Sequence, residues 1–237
     1  PANTYWKKPY HLYANVDTEG ARYLGFEKWW GAHVRLAAPE MQWIVDNLFV
    51  GNRLTAGRAA LSDGTAIDLR TVHGPTVVLC SKGDNITPPA QALGWITDLY
   101  RDEQELIACG RTIVYAVHEK IGHLGIFVSG TVARKEHAEF ASTIALIDVL
   151  PPGLYEMVLT PKAALANPDL ADGEFVARFE PRGFEALGQY ADHQAEDEDL
   201  FATVARVSEI NLGLYRTLAA PLVDASVTPS FAEAARR

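Results

Sequence analysis

The sequence predicts an α/β protein built on a parallel sheet, and three observations carry that reading. Pro75-Thr76-Val77-Val78-Leu79-Cys80 and Thr112–Val117 are short, continuous apolar runs rich in β-branched residues, the pattern of strands buried on both faces. Between them, a segment opening at Pro88-Pro89 and running through Tyr100 puts Leu93, Ile96, Leu99 and Tyr100 on one helical face. Each apolar run is followed by a polar, glycine-containing loop, Ser81 to Thr87 and His118 to Gly125.

The other elements follow in chain order. Residues 1–36 are crowded with aromatics, among them Tyr5, Trp6, Tyr10, Trp29 and Trp30. They show neither a clean helical nor a clean strand period, so a packed, irregular or short-helical segment is expected. A helix begins at Pro39: Met41, Ile44, Val45 and Leu48 form one apolar stripe, proline suits a first turn, and Gly51 suits the stop. Asp63-Gly64-Thr65 reads as a turn. A further helix is expected from about Lys135 to Val149, stopped by Pro151-Pro152-Gly153. Residues 160–182, with Pro161, Pro168, Gly173 and Pro181, read as linker or extension. Asp197 to Leu222 reads as a long helix with Leu200, Val204, Val207, Leu214 and Leu218 inward. The acidic run Glu196-Asp197-Glu198-Asp199 at its start suits the helix dipole better than a metal. Three parts result: an aromatic-rich, cap-like or helical segment over 1–62, an α/β core over 63–155, and a linker with helical extension over 156–237.

Composition narrows the function. The chain of 237 residues is 48% hydrophobic and 22% charged, ordinary for a globular protein. A net charge of −9 argues against nucleic acid, which wants a basic footprint. No apolar run approaches the roughly 18 residues of a membrane span, and residues 1–8 lack the apolar core of a signal peptide. Two cysteines make no disulfide framework, so a reducing, cytoplasmic setting is expected. Opening on Pro1 and ending on Ala-Ala-Arg-Arg, the chain reads as a fragment or a processed product.

The chemistry sits in the two loops. Asp84 lies four residues beyond Cys80, and His123 six beyond Val117. If the strands are neighbours, both loops leave the same sheet edge, where open α/β sheets place their sites. Acid followed by histidine is also the chain order of α/β-hydrolase triads, in which the nucleophile precedes both. A neutral imidazole moves a proton between nucleophile and leaving group. A buried carboxylate fixes its tautomer and stabilises the imidazolium. Gly83 permits a tight turn before Asp84, and Gly122 leaves room beside His123. A plainer reading stands beside this one: Asp84 as a turn or cap residue near Pro88-Pro89, and His123 as a packing or surface residue.

Several blocks carry a resemblance. Cys80-Ser81-Lys82-Gly83-Asp84-Asn85-Ile86-Thr87-Pro88-Pro89 resembles the G-x-x-D-x-I-x-P segment of polyhydroxyalkanoate synthases, and Ile121-Gly122-His123-Leu124 is similar to their S-G-H-I segment. Gly64-Thr65-Ala66-Ile67-Asp68-Leu69, leading into Pro75-Thr76-Val77, looks like their lead-in. Closer still is a bacterial family labelled poly(3-hydroxyalkanoate) synthetase-like. Its hallmarks appear as Phe26-Glu27-Lys28-Trp29-Trp30-Gly31, Asp84-Asn85-Ile86-Thr87-Pro88-Pro89, Gly122-His123-Leu124-Gly125-Ile126-Phe127 and Asp148-Val149-Leu150-Pro151-Pro152-Gly153-Leu154-Tyr155-Glu156. The closer likeness covers residues 20–220, the synthase-like part 60–130. The resemblance implies the C-terminal part of an α/β-hydrolase fold, with Asp84 as orienting acid and His123 as general base. It implies an acyltransferase or esterase acting on an ester or a thioester, with hydroxyacyl-CoA as one substrate. The synthases use a cysteine in a G-x-C-x-G elbow. Neither that elbow nor G-x-S-x-G occurs here, so the nucleophile is expected from a missing N-terminal half or another subunit. The alternative is a non-catalytic interaction module that retains the fold.

Other candidates are weaker. Cys80 ends a buried strand and reads as core, and nothing near Cys109 would activate it. Ser129-Gly130 lacks the upstream glycine of an elbow. His118 and His123 are spaced i, i+5 across Gly122, whereas the zincin pattern needs i, i+4 on a helix. His11, His33, His73, His137 and His193 show no ligand spacing. Asn85-Ile86-Thr87 matches a glycosylation sequon, idle without a secretory signal. No phosphate-binding glycine loop of Walker or Rossmann form is present, so no cofactor is expected. The aromatics of residues 1–36 suit core packing, or the lining of an acyl pocket.

Overall fold

The computed structural model describes residues 2–32, 36–170, 173–190 and 195–236. The chain divides into two compact units, Pro1–Val45 and Asp46–Arg237. The first holds three helices, α1 (Ala2–Ala14), α2 (Val16–Gly31) and α3 (Ala38–Ile44). Its aromatics are not packed as expected: Tyr5, Trp6, Tyr10 and Tyr13 are all more than three-quarters exposed or close to it. Phe26, Trp29 and Trp30 instead cluster along α2 with ring centroids 5.8–6.2 Å apart, Phe26 and Trp30 nearly parallel and Trp29 tilted against both. The apolar stripe that begins at Met41 continues beyond α3 into a π-helical turn, Val45–Phe49.

The second unit is a mixed α/β fold around one four-stranded sheet. The strands are β1 (Thr76–Ser81), β2 (Thr112–His118), β3 (Gly153–Pro161) and β4 (Phe175–Arg182), in that spatial order. β1 and β3 both run parallel to β2, while β4 is antiparallel to β3. The helices of this unit are α4 (Pro89–Leu99), α5 (Glu103–Ala108), α6 (Gly125–Val128), α7 (Gly130–Val132), α8 (Ala138–Asp148), α9 (Glu185–Gly188), α10 (Ala195–Leu214), α11 (Ala220–Ser226) and α12 (Pro229–Arg236).

Alternation along β2 builds two cores. Ile113 and Tyr115 point to one face, where Leu93, Ile96 and Leu99 of α4, Leu106 of α5 and Leu187 of α9 close over them. Val114 and Ala116 point to the other, against Ile147 and Phe140 of α8 and Tyr155 and Met157 of β3. A period of two places successive side chains on opposite faces, so a continuous apolar run is what a sheet covered on both sides requires. The bounds of β1, β2 and α4 match the sequence expectation to within a residue or two, but β1 is not buried on both faces as expected: only Cys80 and Ser81 in it are buried, and Val77 is exposed.

Two expectations need correction. The stretch 160–182 is not a linker: β4 lies within it and pairs along its length with β3. Prolines hid the strand, but Pro181 sits near the end of an outer strand, where a missing N–H is tolerated. The C-terminal helix forms, as α10, a π-helical turn at Tyr215–Ala219, and α11, but its apolar stripe is not inward. Leu200, Val204, Val207, Leu214 and Leu218 are between 51% and 66% exposed. The side chains of Glu196, Asp197 and Glu198, and residues His33 and His193, lie outside the described residues.

Candidate active site

The register places the two loops side by side. Ser81, the last residue of β1, is opposite His118, the last of β2. Asp84 is three residues further on and His123 five, so both loops leave the same end of neighbouring parallel strands. The loops are then tied together. Lys82 N–H donates to the His118 carbonyl at 2.9 Å, and Ser81 Oγ donates to the Ile121 carbonyl at 2.7 Å. Gly83 lies flat against the second loop, where a Cβ would overlap the Lys120 carbonyl.

The tie brings the acid and the imidazole into contact. Asp84 Oδ2 lies 2.9 Å from His123 Nδ1. Asp84 is buried, with 2% exposure, while a third of the His123 side chain is open to solvent. Each carboxylate oxygen is fully occupied. Oδ1 accepts the backbone N–H groups of Ile86 and Thr87 at 2.9 and 3.0 Å. Oδ2 accepts the Thr87 hydroxyl at 2.8 Å as well as the imidazole. One carboxylate oxygen thus bonds to the backbone of its own turn, and the other faces the Thr87 hydroxyl and the imidazole. Burial raises the carboxyl pKa, but the Thr87 and Ile86 N–H groups, His123 and the Thr87 hydroxyl outweigh it. The net result is a carboxyl well below its usual range.

An ionised carboxylate only accepts, so His123 donates from Nδ1, with Thr87 Oγ1 a second neighbour at 3.1 Å. That tautomer leaves a lone pair on Nε2, the atom that takes a proton in acid–base catalysis. Thr87 is the member of this site that sequence reading missed as a functional residue. The signal was its spacing, three residues after Asp84, which suits a side chain bonding back to its own turn.

Asp84, Thr87 and His123 open onto a groove of about 800 Å³, walled by Val77, Leu79, Ile126, Phe127, Phe140 and Ile144. Among the described residues no serine or cysteine lines it. Cys80 is buried, its Sγ directed at the Ala116 carbonyl at 3.7 Å, and burial followed by the charge of Asp84 pushes the thiol up to about 12. Cys109 is exposed and caps the C-terminus of α5, three residues before the start of β2. A second cleft, about 840 Å³, lies between residues 46–58 and α10, lined by Arg53, Arg58, Arg206 and Arg216 among others. It holds no acid–imidazole pair, so the chemistry selects the smaller groove. Among the described residues there is no cluster of three or more His, Cys, Asp or Glu suited to a metal. Nor is any helix long and apolar enough to cross a membrane.

Fold and site together define a class: a mixed α/β protein with an acid and an imidazole on the exit loops of neighbouring parallel strands. The chain belongs to the family described as "Protein of unknown function (DUF3141)", whose model matches residues 1–237. It is 62% identical over 237 residues to the "Uncharacterized protein in ackA 5'region" of Rhizobium meliloti, a match covering 100% of this chain and 32% of that protein. The chain thus spans about a third of that relative's length. No solved structure matches it.

Proposed function

We propose that this chain supplies the acid and base of an acyl-transfer or ester-hydrolysis site on an α/β-hydrolase-type sheet, with the nucleophile contributed by a part of the protein outside residues 1–237. The observation that carries the reading is the Asp84–His123 contact at 2.9 Å through Nδ1, which leaves Nε2 without a hydrogen bond among the described residues, beside a mostly apolar groove that His137 also lines. The groove walls suit an acyl chain, and the likeness to polyhydroxyalkanoate synthases suits a hydroxyacyl ester or thioester. Asp84 orients the ring and stabilises the imidazolium. His123 takes the proton of a hydroxyl or thiol and returns it to the leaving group.

The test is turnover by the longest natural polypeptide that carries this chain, with hydroxyacyl-CoA thioesters and p-nitrophenyl esters as substrates. His123→Ala is expected to lower kcat by about 10²–10⁴-fold, the usual worth of a positioned acid–base group. Unchanged turnover in that variant would sink the proposal. One observation favours the non-catalytic alternative: the outward stripe of α10 and the exposed aromatics of α1 are surfaces a binding module would carry.

A further inference from the structure

A second imidazole, with a buried carboxylate 3.9 Å from it, sits at the start of the loop that carries His123. His118, at the end of β2, is mostly buried, and its Nδ1 accepts two backbone N–H groups, from Lys120 at 3.1 Å and from Ile121 at 3.2 Å. A nitrogen that accepts carries no proton, so the His118 proton sits on Nε2. That nitrogen faces Glu136 Oε1 at 3.9 Å. Glu136 is a buried carboxylate, with 3% exposure, carried on the π-helical turn Ala133–His137. Lys135 holds its Oε1 at 2.9 Å, and its Oε2 has no partner among the described residues. Buried carboxylates are rare unless paired, and π-helical turns recur at functional sites.

The two N–H groups that His118 holds belong to the loop that carries His123. Residues 119–122 contain no regular hydrogen-bonded structure, and Gly122 gives the backbone wide freedom. What shapes this loop is a set of side-chain ties. Ser81 holds the Ile121 carbonyl, and His118 holds the N–H groups of Lys120 and Ile121. The loop is thus clamped at Ile121 from both sides, two residues before His123.

We infer that His118 is a positioning residue: held in its Nε2–H tautomer opposite Glu136, it fixes the 119–122 loop and so delivers the His123 ring to Asp84. This role rests on the reading of His123 as the base of the site. His118 touches no reacting atom, and it acts through backbone geometry alone.

The test separates the acceptor at Nδ1 from the bulk of the ring. Asparagine places its Oδ1 where histidine has Nδ1, so His118→Asn keeps the acceptor, whereas His118→Gln loses it. In the intact protein labelled with ¹⁵N-histidine, the Nδ1–H proton of His123 bonded to Asp84 is expected as a downfield signal. It should survive in His118→Asn and vanish or broaden in His118→Gln. Where turnover is measurable, His118→Gln should lower kcat by up to about 10²-fold, the cost of a small misplacement, with KM little changed and kcat restored by His118→Asn. A folded His118→Gln protein with an unaltered His123 signal would overturn the inference, and so would loss of the signal in a folded His118→Asn protein. If His118→Gln does not fold, hydrogen exchange in the wild type decides. Protected amides at Lys120 and Ile121 support the role, and freely exchanging ones refute it. These readouts do not depend on turnover, so absence of acyl chemistry would count against the proposed function, while the His123 signal and the amide protection separately decide whether His118 positions the ring.

Discussion

Asp84 divides its work between two oxygens, one fixing its own turn and one facing the imidazole. A neutral amide could not accept on all four sides, so Asp84→Asn should disturb both tasks. The pH dependence has a definite sign. The folded carboxyl titrates below the ordinary value of about 3.9. Its contribution to stability is therefore complete above that value and is lost as pH falls through the lower folded value. The gap in urea midpoint between wild type and Asp84→Asn should shrink below about pH 4. A gap that widens there would reverse the sign and remove the assignment. The cysteines give a second expectation. Cys109 is exposed and should react with a thiol reagent in the native protein, whereas buried Cys80, its thiol raised to about 12, should react only on unfolding. Rapid native labelling of Cys80 would contradict its place in the core and reopen it as a nucleophile.

At the scale of elements, the close approach of two strand-exit loops makes the site. Gly83→Ala should force the 82–87 loop off Lys120 at a cost of about 1–3 kcal/mol, typical of overpacking. Thermal unfolding checks this, and a variant as stable as wild type would show the loops are not pressed together. The elements that build this site were the legible ones. β1, β2 and α4 have unbroken apolar runs or a clean helical stripe, because each is covered on its inner side by the same unit. β4 was not legible, since Pro181 and the polar residues Arg178, Glu180 and Arg182 are those of an outer antiparallel strand, half exposed and only weakly patterned. Asp84 and His123 could be read from chain order and loop position. Thr87 offered only its spacing from Asp84, which suits a bond back to the turn but does not show that its hydroxyl also meets the imidazole, and His118 offered no signal, since its bonds to the Lys120 and Ile121 N–H groups depend on how the loop folds back.

At the scale of the molecule, apolar surface lies open where the site lies open. β1 is an outer strand of the sheet among the described residues, and Val77 on it is 38% exposed. Ile144 of α8 and Phe127 of α6, which wall the same groove, are 58% and 71% exposed. An apolar outer strand invites pairing. The 237-residue chain by itself should associate as concentration rises in light scattering, and Val77→Lys should weaken that association. A chain that stays monomeric at all concentrations would show that this edge needs no partner. In the proposed function, His123 serves a nucleophile located elsewhere in the polypeptide. The most direct measurement is to quench the longest natural polypeptide during turnover of a hydroxyacyl thioester and to map the acyl adduct by mass spectrometry. The adduct is expected on a cysteine or serine outside residues 1–237, and it should be absent in His123→Ala. An adduct on Cys80 or Cys109, or one that forms as readily without His123, would rule out His123 as the base for an outside nucleophile.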